Sequence, residues 1–217
     1  CRDGYIYVHD MSARRDTMNC CLFDVQNVLS GGFEMGNVWY NEPKSLDVAF
    51  DVIGDIVLSA ASQQYGGFTV PSVDLILEPY AEKSYQNYIE KYLRLGIEPE
   101  RAEKEAYADV VREYEQGFQG WEYKFNTVGS SRGDYPFITV TAGTGTGRFA
   151  KLATITMLNV RRKGQGKKGC KKPVLFPKIV FLYDENLHGP GKPLEDVFEA
   201  GVECSAKTMY PDWLSLT

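Results

Sequence analysis

Asn19-Cys20-Cys21-Leu22 sets two thiols next to a polar amide, and thiols serve as nucleophiles, metal ligands or donors of hydrogen atoms and electrons. Adjacent cysteines rarely bridge each other, because a disulfide across one peptide is strained. Two readings stand. Both cysteines are small buried apolar residues, or one thiol turns to a pocket beside Asn19. His9-Asp10 ends an aromatic, β-branched run at residues 4–10, where a short strand would deliver pocket residues; a pair in a turn is the plainer reading. His188 lies in the polar run Asn186-Leu187-His188-Gly189-Pro190 and reads as a surface residue. With only two histidines in the chain, a His-based metal site or a Ser/His/Asp triad has little material.

Three other groupings carry charge or phosphate-binding potential. Asp47, Asp51 and Asp55 recur at helical spacing, so one face holds three carboxylates. A metal or acid–base role is one reading; an exposed or interface face is the favoured one. Gly143-Thr144-Gly145-Thr146-Gly147 could offer backbone N–H groups to phosphate, but it has neither the Lys-Ser/Thr of a P-loop nor GxGxxG spacing. A flexible strand-exit loop fits it equally well. A Gly/Ser stretch at residues 129–136 adds Arg132 as a phosphate partner. Residues 161–172 hold seven basic side chains and no acidic one. Without interleaved aromatics, a solvated loop or one meeting a polyanion is favoured over nucleic-acid binding.

The elements that must position these groups are those of an α/β chain. Strands are expected at residues 4–10, 135–141 and 173–183, the last apolar enough to be buried on both faces. One helix is expected from near Pro43 to near Gly66-Gly67, with Leu46, Ala49, Phe50, Ile53, Ile56, Val57 and Ala60 in helical rhythm. Others run from about Ser72 to Leu95, entered or interrupted at Pro79, from about Pro99 to Phe125, and from about Leu194 to Lys207. Residues 78–122 carry 11 acidic and 6 basic side chains, as solvated helix faces do. Strands alternating with long helical stretches favour a parallel sheet.

The 217 residues carry 24 Lys+Arg against 29 Asp+Glu, a net charge of −5, and are 43% hydrophobic, which excludes wholesale disorder. No run approaches the roughly 20 apolar residues of a membrane span. Five cysteines, an odd number without CxxC spacing, argue against a secreted disulfide framework and against a zinc site. A cytoplasmic protein is expected. The chain starts at Cys1 without an initiator methionine, so it reads as a piece of something longer.

In order, IYVHDMSARRDTMNCCL (6–22), GFEMGNVWYNEPKS (32–45), QYGG (64–67), YKFNT (123–127), PFITVTAGTG (136–145), FPK (176–178) and ECSAKTMYPD (203–212) closely resemble the anaerobic, class III ribonucleoside-triphosphate reductases. The resemblance implies a glycyl-radical enzyme built on a ten-stranded α/β barrel, with residues 1–217 forming part of that catalytic domain. It implies conversion of ribonucleoside triphosphates to deoxyribonucleoside triphosphates. In that family a glycyl radical makes a thiyl radical at a finger-loop tip, and a second cysteine on the first barrel strand supplies reducing chemistry as the 2′-hydroxyl leaves as water. The family's Asn-Cys-x-Leu motif carries that second cysteine, which assigns the role to Cys20 and leaves Cys21 as its variable neighbour. Asn19 and His9 would lie at the same substrate pocket. Lys44 matches the lysine of an effector-binding segment; Asn41 stands where relatives carry Glu, with Glu42 beside it.

Cys204 falls in a helical pattern and reads as a packed helix cysteine, not the thiyl residue. The finger loop, glycyl-radical motif, C-terminal zinc site and ATP-cone domain have no counterpart in the 217 residues, so the segment alone is expected to be inactive and prone to aggregate through unpaired sheet edges. The resemblance further implies deoxynucleotide effectors, ATP among them, a homodimer, an iron–sulfur/S-adenosylmethionine activating enzyme, and formate or a thioredoxin-like protein as reductant. Two alternatives are a glycyl-radical enzyme of the formate-lyase type and a non-catalytic module that holds a polyanion with residues 161–172.

Overall fold

The structure, a computed structural model, describes residues 19–64, 66–127, 129 and 137–217. Among the described residues seven strands and seven helices follow one another: β1 Cys21–Leu22, α1 Val25–Leu29, β2 Phe33–Met35, β3 Val38–Tyr40, α2 Leu46–Ala61, β4 Phe68–Val70, α3 Val73–Arg94, α4 Pro99–Thr127, β5 Ile138–Ala142, α5 Arg148–Lys163, β6 Lys178–Tyr183, α6 Glu185–His188, α7 Glu195–Thr208 and β7 Asp212–Ser215. Strands β1, β4, β5, β6 and β7 form one sheet in that order, every pair parallel. Parallel neighbours require crossovers, and helices supply each one. β2 and β3 make a separate antiparallel hairpin.

Strand β5 alternates, with Ile138, Val140 and Ala142 buried and Thr139 and Thr141 half-buried. β6 behaves likewise: Ile179 and Phe181 are buried, whereas Val180 and Leu182 are only half-covered. The expectation of a strand buried on both faces is therefore corrected, and so is its start. Pro177, which has no N–H to give a ladder, keeps the sheet from beginning before Lys178.

Helix α4 packs against α2, α3 and α5. At the α2–α4 crossing, Phe50 lies on Gly117, where a β-carbon would overlap its ring, and Trp121 Nε1 donates to Phe50 O at 2.9 Å. Phe118 and Trp121 meet Phe50 edge-on at centroid distances of 4.9 and 4.8 Å. Helix α2 begins at Leu46, not at Pro43: the Leu46 N–H, otherwise orphaned, donates 2.8 Å to buried Ser84 Oγ of α3. It ends at Ala61, short of Gly66. Pro79 sits inside α3 on an exposed position and costs one helical hydrogen bond without ending the helix. The helix α5, absent from the expectations above, carries Phe149, Ala153, Met157 and Val160 into the core. The strand expected at residues 4–10 lies outside the described residues. No helix among the described residues is long and apolar enough to cross a membrane.

Candidate functional site

Because the sheet is parallel, residues just before its strands gather at one edge. Cys20 precedes β1, Gly67 precedes β4, Phe137 precedes β5 and Pro177 precedes β6. Asn19 O accepts the Gly66 N–H at 2.5 Å, and Cys21 N–H donates to Gly67 O at 3.1 Å, so residues 19–21 and 66–67 are laced together before the strands start. The Gly67 N–H in turn donates to Cys20 Sγ at 3.2 Å. Gly66 has no room for a side chain: a β-carbon there would overlap Cys20 Sγ and come within 2.5 Å of Asn19 O.

The two cysteines divide between the two readings of the pair. Cys21 is half-buried, packs against the core and accepts from Gln64 Nε2 at 2.8 Å. Cys20 is exposed and unbridged. A backbone N–H therefore fixes the position of an open, unbridged sulfur at this edge. Gln64 and the Gly66-Gly67 pair carry no assigned role in the sequence reading; two adjacent glycines ahead of an apolar run are the signal of close backbone approach.

A wall beside this edge is built from distant segments. Phe137 meets Phe176 edge-on at 5.5 Å. Asn126 of α4 fixes Phe176 from both sides, accepting its N–H at 3.0 Å and donating to its carbonyl at 2.6 Å. Beneath, Arg161 Nη2 donates to Pro177 O at 2.7 Å and Arg161 Nε to Glu122 Oε1 at 2.7 Å. Arg161 is 0% exposed, so the expectation that residues 161–172 form one solvated loop is corrected. It belongs to the last turn of α5, and its charge is matched inside the protein.

The glycine loop lies at the other end. Gly143 follows β5, so the strand, roughly 16 Å long, separates it from Phe137 and the Cys20 edge. Its backbone N–H groups are already taken by the buried side chain of Asp74, whose Oδ2 accepts from Gly143 at 3.0 Å and Gly145 at 2.9 Å. His188 closes the loop from the far side. It is buried, not on the surface as expected; its Nδ1 accepts the Asp184 N–H at 3.0 Å, which leaves Nε2 to donate to Gly143 O at 2.7 Å. The flexible-loop reading gives way to a braced turn.

Lys44 is exposed in the turn before α2, while Gln64 follows that helix, so about 24 Å of helix separates Lys44 from the cysteine edge. Beside it, Glu42 accepts from Lys83 Nζ at 2.6 Å, and that bond holds its carboxyl below the usual range. Asp51 and Asp55 each lie 3.7 Å from Lys124 Nζ, and Asp47 bonds Ser45 and the Val48 N–H, as an exposed face does. Among the described residues no group of three His, Cys, Asp or Glu side chains is placed to hold a metal ion. Cys204 is 0% exposed in α7, and burial pushes its thiol up, as a packing cysteine requires. His9 and Arg132 lie outside the described residues.

A parallel α/β sheet with an open cysteine at the leading edge of its first strand defines the class. The particular family follows from comparison: a family model described as anaerobic ribonucleoside-triphosphate reductase matches residues 1–217, and the chain belongs to that family, not to the formate-lyase type. The anaerobic ribonucleoside-triphosphate reductase of Enterobacteria phage T4 is 37% identical over 216 residues, covering 98% of this chain and 35% of its own length. That of Haemophilus influenzae is 38% identical over 217 residues, covering 98% and 30%. The chain thus spans about a third of these relatives. The anaerobic ribonucleotide reductase of Thermotoga maritima, in complex with dATP and CTP, has the same fold over 96% of this chain and 35% of its own, with a TM-score of 0.65 at 16% identity. Both edges of the sheet, at β1 and β7, are open among the described residues.

Proposed function

We propose that residues 1–217 form the part of an anaerobic ribonucleoside-triphosphate reductase barrel that presents the reducing cysteine to substrate. The observation that carries this reading is Cys20: unbridged, exposed, within Asn-Cys-x-Leu, and accepting the Gly67 N–H at 3.2 Å at the sheet edge. The substrates are ribonucleoside triphosphates and the products deoxyribonucleoside triphosphates. A glycyl radical, outside these residues, supplies the radical that opens the reaction; zinc belongs to the C-terminal region of the full-length protein.

Within this chain, Cys20 donates during reduction as the substrate 2′-hydroxyl leaves as water. Asn19 and His9 line the pocket. The Gly66-Gly67 pair holds the sulfur in place, and Phe137 and Phe176 wall the same edge. Cys204, buried and raised, takes no part. Lys44 binds the phosphate of a deoxynucleotide effector at the far end of α2; the T. maritima structure with dATP in its specificity site is the precedent for such an effector. With Glu42 held by Lys83 and Asn41 beside it, effector contacts here rest on Lys44. The full-length protein works as a cytoplasmic homodimer, activated by an iron–sulfur/S-adenosylmethionine enzyme and reduced by formate or a thioredoxin-like protein.

The test is Cys20→Ser in the full-length, activated enzyme. Deoxynucleotide formation is lost while the glycyl radical signal still forms. Normal turnover by that variant removes Cys20 from the mechanism.

A further inference from the structure

Helix α5 ends in Arg161-Arg162-Lys163, and cations in a last turn are ordinary because they face the negative end of the helix. The charge beyond has no such account. Lys167, Lys168, Lys171 and Lys172 follow the helix, uninterrupted by any carboxylate, in a chain of net charge −5. Nor is the stretch slack. Gln165 and Lys172 exchange both backbone hydrogen bonds, at 2.8 and 2.9 Å, and Cys170 N–H donates to Lys167 O at 2.9 Å within that closure. Gly164 and Gly166 take φ of +67° and +132°, and a β-carbon on Gly164 would come within 2.7 Å of Lys172 O. The Gln165 side chain ties the hairpin to the interior, donating to Glu122 and accepting from Gln119 at 3.2 Å.

Against this braced hairpin the last turn of α7 brings Lys207. Arg162, Lys163, Lys171 and Lys207 line a concavity of about 380 Å³ with Gly164 and Gly169 between them, and no carboxylate lines it. Arg162 reaches aside to Glu203, and Lys163 to Glu115 at 2.8 Å. Lys171 and Lys207 meet no carboxylate among the described residues. Cations converging on a concave surface focus a positive potential. The volume exceeds a single ion, and no aromatic side chain lines it to stack a base.

We propose that the concavity between the 164–172 hairpin and the end of α7 binds the polyphosphate of a small molecule, inorganic triphosphate or the tail of a nucleotide, through Lys171 and Lys207 with Arg162 in support. This site is separate from the Cys20 edge and does not rest on the role given to that thiol.

The test uses the full-length protein, calorimetric titration with inorganic triphosphate at low salt, and Lys171→Gln/Lys207→Gln. Both lysines are exposed, so folding is spared. Affinity falls at least tenfold in this variant, and less than twofold in Lys91→Gln/Lys104→Gln, which removes the same charge from exposed positions on α3 and α4. Cys170 is exposed between Gly169 and Lys171 and gives a second readout. Triphosphate slows its alkylation in the parent and not in the variant. Equal protection by a nucleoside triphosphate means the phosphates alone are read; stronger protection by the nucleotide means its remainder is held as well, and either outcome supports the site. Unchanged affinity in the variant overturns it. So does protection of Cys170 by an oligonucleotide at concentrations where triphosphate gives none.

Discussion

Gly66 and Cys20 are in contact across two chain segments 46 residues apart in sequence, and the sulfur fills the space that any side chain at Gly66 would need. The expected outcome of Gly66→Ala follows from what surrounds it. Asn19 O, within 2.5 Å of the new carbon, is backbone already engaged by the Gly66 N–H and cannot swing away, so the sulfur moves. Overpacking of this kind costs about 1–3 kcal/mol. Urea denaturation measures that loss, and the alkylation rate of Cys20 reports the displaced thiol. An unchanged alkylation rate would show that the glycine does not position Cys20.

Asp74 is the second relationship the fold depends on. Its buried Oδ2 collects two N–H groups from the Gly143–Gly145 turn and lies 3.5 Å from Thr154 Oγ1. Asp74→Ala leaves both N–H groups buried without an acceptor, at about 1–3 kcal/mol for each unsatisfied group. Asp74→Asn keeps one acceptor oxygen and loses less. Chemical denaturation of the two variants gives that order, and hydrogen exchange at Gly143 and Gly145 rises more in the alanine variant. Equal protection in parent and alanine variant would assign the turn's order to His188 alone.

The contrast between what was legible and what was not has physical causes. Helices α3, α4 and α7 announce themselves through long apolar periodicity, and their observed ends fall within two residues of expectation. Helix α5 does not, because Thr154 and Thr156 interrupt its apolar face and both are buried, a fact visible only once α3 and α7 pack on it. Strands β1 and β4, of two and three residues, are too short to show a period of two. The sequence singles out Cys20 through its Asn-Cys-x-Leu motif. The brace on it was not, since Gly67 reaches it only through β1–β4 register. Asp74 and His188 share that limit: their partners lie 69 and 45 residues away along the chain.

The Arg161–Glu122 pair should behave as a buried ion pair does. Arg161 and Glu122 are 0% and 4% exposed, and Glu122 also receives the Gln165 amide. Glu122→Leu strands the guanidinium and costs about 3–5 kcal/mol, whereas Glu122→Leu/Arg161→Met replaces both charges with apolar volume and recovers much of it. A double-mutant cycle by chemical denaturation measures the coupling. Additive losses would mean that Arg161 draws its support from Pro177 O instead of Glu122.

Glu113 supplies a pH-dependent prediction. Burial pushes its carboxyl above the ordinary value, against the hydrogen bonds from Tyr88 and Ser84, which pull it down, and the charges of Asp47 and Asp109, which add to the rise. The folded state therefore holds this proton more tightly than the unfolded chain. Its contribution to stability is fully present below the unfolded carboxyl value of 4.5 and is lost as pH climbs through the raised folded value, then stays constant. Glu113→Gln removes the titration while an amide oxygen still accepts from Tyr88 Oη, 2.6 Å from the carboxylate in the parent. The variant thus gains stability relative to the parent as pH rises across that window, with no further gain at higher pH. Urea midpoints taken in steps from pH 4 to pH 8 trace the difference; a gap that widens as pH falls would reverse the sign and place the stabilising form of Glu113 as the carboxylate.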